Sequence, residues 1–135
     1  MNPTKPTPIL LLTAALILLT IGSLVLFTPT TLYASNNVML VQDPNLLSEI
    51  RAPGGLLFAG GLFVLASVFA PGLKRPALGL STLFLLSYGL ARLVSMHLDG
   101  MPSAILIAAT AVELAVGLLC LWTLIRSEVS LVRID

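Results

Sequence analysis

The residues of this sequence that could do chemistry are a few polar and ionisable side chains set in long apolar runs. They are Glu49, Arg51, Tyr88, Arg92, His97, Asp99 and Glu113. Arg92 and Glu113 fall inside runs that are long enough to cross a membrane. A charge at membrane depth costs roughly 2.5–3.5 kcal/mol on insertion scales, so such side chains usually face the interior of a helix bundle and pair. We therefore predict an ion pair between Arg92 and Glu113.

The depth of the two charges along their helices favours this pairing. At about 1.5 Å per residue, Arg92 is expected about 6 Å inside the outer end of its span and Glu113 about 14 Å inside its own. An extended arginine side chain bridges that difference, and spans joined by a short hairpin are neighbours. The alternative is an Arg51–Glu113 pair, with Asp99 or Glu49 taking the remaining arginine. A structural ion pair and part of a ligand site both stay open as roles.

Other kinds of site find little support in the sequence. His97 and Asp99 provide two candidate metal ligands where three or four are needed, so an interfacial hairpin is the better interpretation. Tyr88 is more typical of a packing residue than of a residue with a chemical role. No Ser-His-Asp order, phosphate-binding loop, haem-type histidine pair or zinc spacing occurs, and the single cysteine, Cys120, allows no intramolecular disulfide. The sequence predicts no catalytic residue, no metal site and no cofactor.

The composition indicates a membrane protein. Of the 135 residues, 57% are hydrophobic and 10% are charged, against about 45–50% and about 25% in soluble domains. A net charge of +1 offers no basic face for nucleic acid. Because each span needs about 20 apolar residues, the length holds four spans and no soluble domain. We predict an all-α membrane protein with one domain over residues 1–135, a four-transmembrane-helix bundle with a short extra helix in the first outer loop.

The predicted spans cover residues 9–27, 54–70, 77–96 and 104–125. The first apolar run is longer than the core of about 7–15 residues in a signal peptide, so we expect a span there. Asp43 and Pro44 form a helix-start signal for the short helix, over residues 44–51, and Pro53 is expected to kink that helix or to separate it from the second span. Thr13, Thr20 and Ser23 share a face that we expect to turn inward.

Small residues follow one face of the second and of the fourth span. They are Ala52, Gly55, Ala59 and Ala66 on the second, and Ala104, Ala108, Ala111 and Ala115 on the fourth. Small side chains at such spacing let helices approach closely in lipid. We expect contacts with other membrane helices, in a homo-oligomer or in a larger membrane complex, besides the contacts with the lipid bilayer.

The distribution of basic residues predicts the orientation. With both termini in the cytoplasm, the inside holds Lys5, Lys74, Arg75, Arg126 and Arg133, whereas the outer loops hold only Arg51. This is the bias that the positive-inside rule describes. The long first loop and the hairpin around His97 then face outward, and the ionisable residues gather at the outer end of the bundle.

Three stretches in this order carry a resemblance to a known family. They are residues 49–55 (EIRAPGG), residues 91–103 (ARLVSMHLDGMPS) and residues 112–114 (VEL). Together they resemble the bacterial membrane family called domain of unknown function 4345, over about residues 9–125. The resemblance implies a four-helix membrane bundle, similar to the DoxX-like group of small membrane proteins, and no established activity. We expect a location in the bacterial inner, or plasma, membrane.

Two classes of function fit these observations. In the first, the protein is a non-catalytic accessory or interaction subunit, whose polar cluster holds the bundle together and whose small-residue faces contact other helices. In the second, it is a binding protein or enzyme whose cluster binds an amphipathic small molecule, such as a lipid head group or a quinone, from the outer leaflet. A transporter is disfavoured, because many transporters that work by alternating access contain inverted repeats. The four predicted spans show no such repeat.

Overall fold

Five α-helices make up most of the chain in a computed structural model that describes residues 6–132, with the side chains of residues 7–127. They are α1 (Pro6–Phe27), α2 (Pro29–Ala34), α3 (Pro44–Phe69), α4 (Lys74–Asp99) and α5 (Ala104–Val132), and a 3-10 turn, Pro71–Leu73, precedes α4. The four longer helices are each long and apolar enough to cross a membrane. The predicted all-α, four-span fold with a short extra helix is confirmed, and the chain is an integral membrane protein.

The short extra helix lies at a different place in the first loop from the one expected. It is α2, and residues 44–51 are instead the first two turns of α3. The predicted start signal is correct, since the Asp43 side chain accepts a hydrogen bond of 2.9 Å from the Leu46 backbone N–H. Pro53 does not interrupt the helix. Its side chain is exposed, so the ring lies away from the core and α3 loses one backbone hydrogen bond at that point.

The four long helices form two closely packed pairs. α1 packs mainly against α3, and α4 packs mainly against α5. The pairs meet through smaller contacts of α3 with α4 and of α1 with α4 and α5, whereas α3 and α5 have no contacts among the described residues. The order around the bundle is therefore α1, α3, α4, α5, with α3 diagonally opposite α5.

Glycines allow the backbones of α1 and α3 to approach closely. A Cβ atom added to Gly22 of α1 would lie 2.5 Å from the Phe58 backbone nitrogen, and one added to Gly54 of α3 would lie 2.7 Å from the Leu26 nitrogen. α4 and α5 meet differently, because leucine side chains fill the space above Gly89 and Gly117. The small residues predicted on the second span do not make these contacts, because Ala52, Ala59 and Ala66 are exposed and Gly55 is only partly buried.

The hydroxyl groups of α1 do not form the inward face that we expected. Thr13 and Thr20 are exposed and Ser23 is only partly buried. The Thr13 hydroxyl donates to the Ile9 carbonyl at 3.0 Å, and the Ser23 hydroxyl donates to the Leu19 carbonyl at 2.7 Å. Because a hydroxyl can bond the carbonyl of the preceding turn of its own helix, these side chains need no partner on a neighbouring helix and can face lipid.

The approach of α1 and α3 makes Gly22→Ala a sharp test of the fold. The added methyl group would press against the backbone of α3, and we expect a loss of about 1–3 kcal/mol in the free energy of unfolding, as for other overpacked sites. The matched control is Gly79→Ala, where the nearest atom would lie 4.0 Å away and the higher helix propensity of alanine favours the folded state. Reversible unfolding in mixed micelles, followed by circular dichroism, measures both; equal losses would contradict the packing.

Candidate functional site

The expected ion pair between α4 and α5 is present. Arg92 Nε lies 3.2 Å from Glu113 Oε2 and donates a hydrogen bond to it. The exposed fractions of the two side chains differ, at 28% for Arg92 and 2% for Glu113. The carboxylate is therefore enclosed by the bundle, whereas the guanidinium group lies at its edge.

The sequence spacing of α5 places Glu113 on the inward face. Thr110, Glu113, Gly117 and Cys120 are buried, and their spacing of three and four residues is that of one helix face. The Thr110 hydroxyl donates to the Leu106 carbonyl of its own helix at 2.8 Å, so this hydroxyl is satisfied locally. Glu113 is the acidic group on this face and takes its partner from the neighbouring helix.

The second oxygen of Glu113 has no such partner. Oε1 is buried and makes no hydrogen bond to any described residue. It belongs to a residue that lines a cavity between all four long helices, together with Leu18, Ile21, Leu57, Phe84, Leu85 and Tyr88. The cavity volume is about 10 Å³, which is near the lower limit for one water molecule. An unsatisfied buried oxygen lowers the stability of the fold. Oε1 is therefore the atom of this site that lacks a hydrogen-bond donor among the described residues.

Arg51 is not part of this ion pair. It is exposed, and it lines an open groove beside Leu26 of α1. Within residues 7–127 it makes no ion pair, so the alternative Arg51–Glu113 pairing does not form. The topology supplies the reason, because Arg51 is on α3 and Glu113 is on α5, which lie diagonally opposite each other.

The remaining predicted site residues lie apart from the carboxylate, except for Tyr88. Tyr88 lines the central cavity with Glu113. Glu49, His97 and Asp99 are exposed, and Asp99 accepts a hydrogen bond of 2.9 Å from the Ser95 hydroxyl, one turn earlier on α4. Among the described residues, no three histidine, cysteine, aspartate or glutamate side chains lie together as a metal ion would require.

One polar contact at an end of the bundle was not predicted from the sequence. The Ser103 hydroxyl donates to Asn36 Oδ1 at 2.8 Å, and Asn36 Nδ2 donates to the Leu32 carbonyl at 3.1 Å. This contact joins the two connections, residues 28–43 and 100–103, at what we call the loop end of the bundle. The turn-forming residues around Asn36 indicated a loop, but nothing in their pattern indicated that this side chain would reach across to the hairpin.

At the opposite end, which we call the basic end, Arg126 also has a partner. Its guanidinium carbon lies 4.1 Å from the centre of the Trp122 ring. Such a cation–π contact is favourable by about 0.5–1 kcal/mol at an exposed site. An aromatic ring and a cation close to the end of a span are typical of the membrane interface.

The unequal burial of the ion pair predicts unequal costs of breaking it. Arg92→Met leaves an enclosed carboxylate without its cation, and we expect it to lower the free energy of unfolding by about 3–5 kcal/mol. Glu113→Gln should cost less, because an arginine at the edge of the bundle can turn its charge towards the head groups. The double variant Arg92→Met/Glu113→Leu should recover much of the loss. Unfolding in mixed micelles measures all three; a larger loss for Glu113→Gln would contradict the asymmetry.

Comparison with known proteins places the chain in a family. The family model described as Domain of unknown function (DUF4345) matches residues 7–124, which extend from the start of α1 into α5 and include both members of the ion pair. No curated protein and no solved structure matches the chain. Because the family match covers well over half of the sequence, the chain belongs to the DUF4345 family.

Proposed function

We propose that the protein is a non-catalytic accessory or interaction subunit that contacts another membrane helix through α5. The observation that carries this proposal is the exposure of all four alanines of one α5 face, Ala104, Ala108, Ala111 and Ala115. We call this set the alanine face. The spacing of four, three and four residues keeps these side chains on one side of the helix, and small side chains of this kind let a second helix approach closely in lipid.

The bundle does not need the alanine face for its own packing. α5 meets α4 through its other side, where Glu113, Gly117 and Cys120 are buried. Trp122 continues the alanine face seven residues beyond Ala115 and is 54% exposed. A second copy of the chain is the first partner to consider, because two such faces can pair around a two-fold axis; a larger membrane complex is the other form of the same proposal.

Binding of an amphipathic small molecule is a second candidate function. The observation that favours it is the unpartnered Glu113 Oε1, beside an arginine that stays partly accessible. The central cavity, at about 10 Å³, is far smaller than ligand pockets of about 300–1,000 Å³. A lipid head group or quinone would therefore have to contact Arg92 from the lipid-facing side of the bundle.

For the location, we propose the bacterial inner membrane with both termini in the cytoplasm. At the loop end, residues 28–43 and 100–103 contain no lysine or arginine and Arg51 lies in the first turns of α3, whereas Lys74, Arg75 and Arg126 lie at the basic end. Lys5 and Arg133, which we also assign to the cytoplasmic side, lie outside the described residues. Short loops rich in lysine and arginine stay in the cytoplasm, and the family resemblance supports a bacterial membrane.

Substitution on the alanine face tests the interaction proposal. Ala108→Leu should weaken self-association or co-purification of a partner by roughly tenfold, which corresponds to about 1.4 kcal/mol, because the larger side chain holds the second helix away. Ala91→Leu, the same change at an exposed position of α4, should leave association unchanged. The association is measured in native-lipid nanodiscs. A strictly monomeric wild-type protein that retains a stoichiometric small molecule would contradict this proposal and support the second candidate.

Cysteine labelling tests the orientation. Cysteines replacing Met39 and Met101, which are 87% and 72% exposed, should react with a membrane-impermeant maleimide in intact cells or spheroplasts. A cysteine replacing Ser127 should react only after permeabilisation. The native Cys120 is buried and should not react with the maleimide. The wild-type protein therefore serves as the unlabelled control. The reverse pattern would place the termini outside.

A further inference from the structure

The geometry points to a binding site for the head group of an anionic phospholipid at Arg51, in the leaflet that surrounds the loop end. This site is separate from the alanine face and from the ion pair, and it goes beyond the interaction role proposed above. Its parts are an exposed arginine without a side-chain partner among residues 7–127, a groove beside it, and the depth at which both lie.

The groove runs between the last turn of α1 and the first turns of α3. Its volume is about 570 Å³, and it is open to the surroundings of the bundle. The side chains of Leu26 and Leu47 form its apolar walls. Ala52 and Gly55 are small and leave space above the α3 surface. Ser48 and Arg51 provide the polar groups. A groove with one cation, one hydroxyl and apolar walls fits a phosphate group that continues into a glycerol backbone and an acyl chain.

The position of Arg51 along α3 places the groove at the boundary between hydrocarbon and head groups. From Arg51 to Phe69, the last residue of α3, the helix rises about 27 Å, and the hydrocarbon core of a bilayer is about 30 Å thick. Phe69 is followed directly by the turn that leads to Lys74 and Arg75 at the basic end. Arg51 is therefore close to the phosphate layer of the opposite leaflet.

The charges around Arg51 leave its guanidinium group available. It makes no ion pair or hydrogen bond to another side chain within residues 7–127. Glu49 is two residues away and about 200° around the helix, and it does not line the groove. The Asp43 carboxylate is used as the cap of α3. Arg92, the other cation of the described chain near this end, is already bonded to Glu113. Among the described residues at the loop end, Arg51 is thus the cation available to an anionic head group.

Photo-crosslinking in nanodiscs tests this site. Phosphatidylglycerol and phosphatidylcholine, each with the same diazirine-bearing acyl chain, are compared at trace level in a phosphatidylcholine bilayer, and labelled residues are mapped by mass spectrometry. We expect phosphatidylglycerol to label residues 44–55 more strongly than phosphatidylcholine does. Arg51→Gln should lower this labelling about fivefold, as expected for the loss of about 1 kcal/mol from one basic residue at the surface.

Three control variants and one competitor make the result specific. Arg51→Lys keeps the charge and should keep most of the labelling, and Arg126→Gln, at the basic end, should leave the labelling of residues 44–55 unchanged. Ala52→Leu fills the groove without removing the arginine and should lower the labelling by both lipids. Excess soluble glycerol phosphate should compete poorly, because it lacks the acyl chain; complete competition would indicate a site for a soluble phosphate ester.

The outcomes that would overturn the inference are equal labelling by the two lipids or unchanged labelling in the folded Arg51→Gln variant. Each variant's melting temperature in detergent shows whether it is folded. Self-association through the alanine face is measured on the same samples. Loss of lipid preference with association intact, or the reverse, separates the lipid site from the proposed interaction role.

Discussion

An ionised carboxylate enclosed in a membrane bundle is costly without a cation, and the position of Glu113 therefore constrains the helices around it. The cation must come from a neighbouring helix at a depth that its side chain can reach, and Arg92 meets this condition from α4. Sliding α4 by one turn would move the guanidinium group about 5.4 Å along the helix axis and break the contact. Buried ion pairs add little stability compared with apolar packing. We therefore interpret the pair mainly as an interaction that fixes the register of α4 against α5.

The helices of the two halves of the bundle achieve close packing in different ways. Helices in lipid gain little from burying apolar surface against one another, because lipid tails are equally apolar, and they depend on close contact instead. α1 and α3 achieve this by backbone approach at Gly22 and Gly54, whereas α4 and α5 combine leucine-over-glycine packing with the ion pair. The central cavity lies where the two halves meet, which is also where the packing is looser.

Hydrophobic length and the cost of buried charge were sufficient to predict the four spans and the Arg92–Glu113 pair. The cap at Asp43 was also readable, because a carboxylate before a proline has a clear local role. The merging of residues 44–51 into α3 was not predicted, since whether Pro53 interrupts a helix depends on which way its ring faces. The placement of Arg51 was not predicted either, because the order of the helices around the bundle follows from interhelical packing that no single segment encodes. The inward face expected for the α1 hydroxyls was wrong because the partners of the Thr13 and Ser23 hydroxyls lie in their own helix.

The hydrogen bond between Asn36 and Ser103 has a mechanical consequence for the bundle. The α1–α3 half and the α4–α5 half are connected covalently only at the basic end, through the turn Pro71–Leu73. At the loop end, the hydrogen bond between Asn36 and Ser103 connects the two halves. Without it, helix packing alone would hold the halves together at the loop end, and we expect their relative motion to be largest there. This partly buried polar contact therefore limits how far the two halves can separate at the loop end.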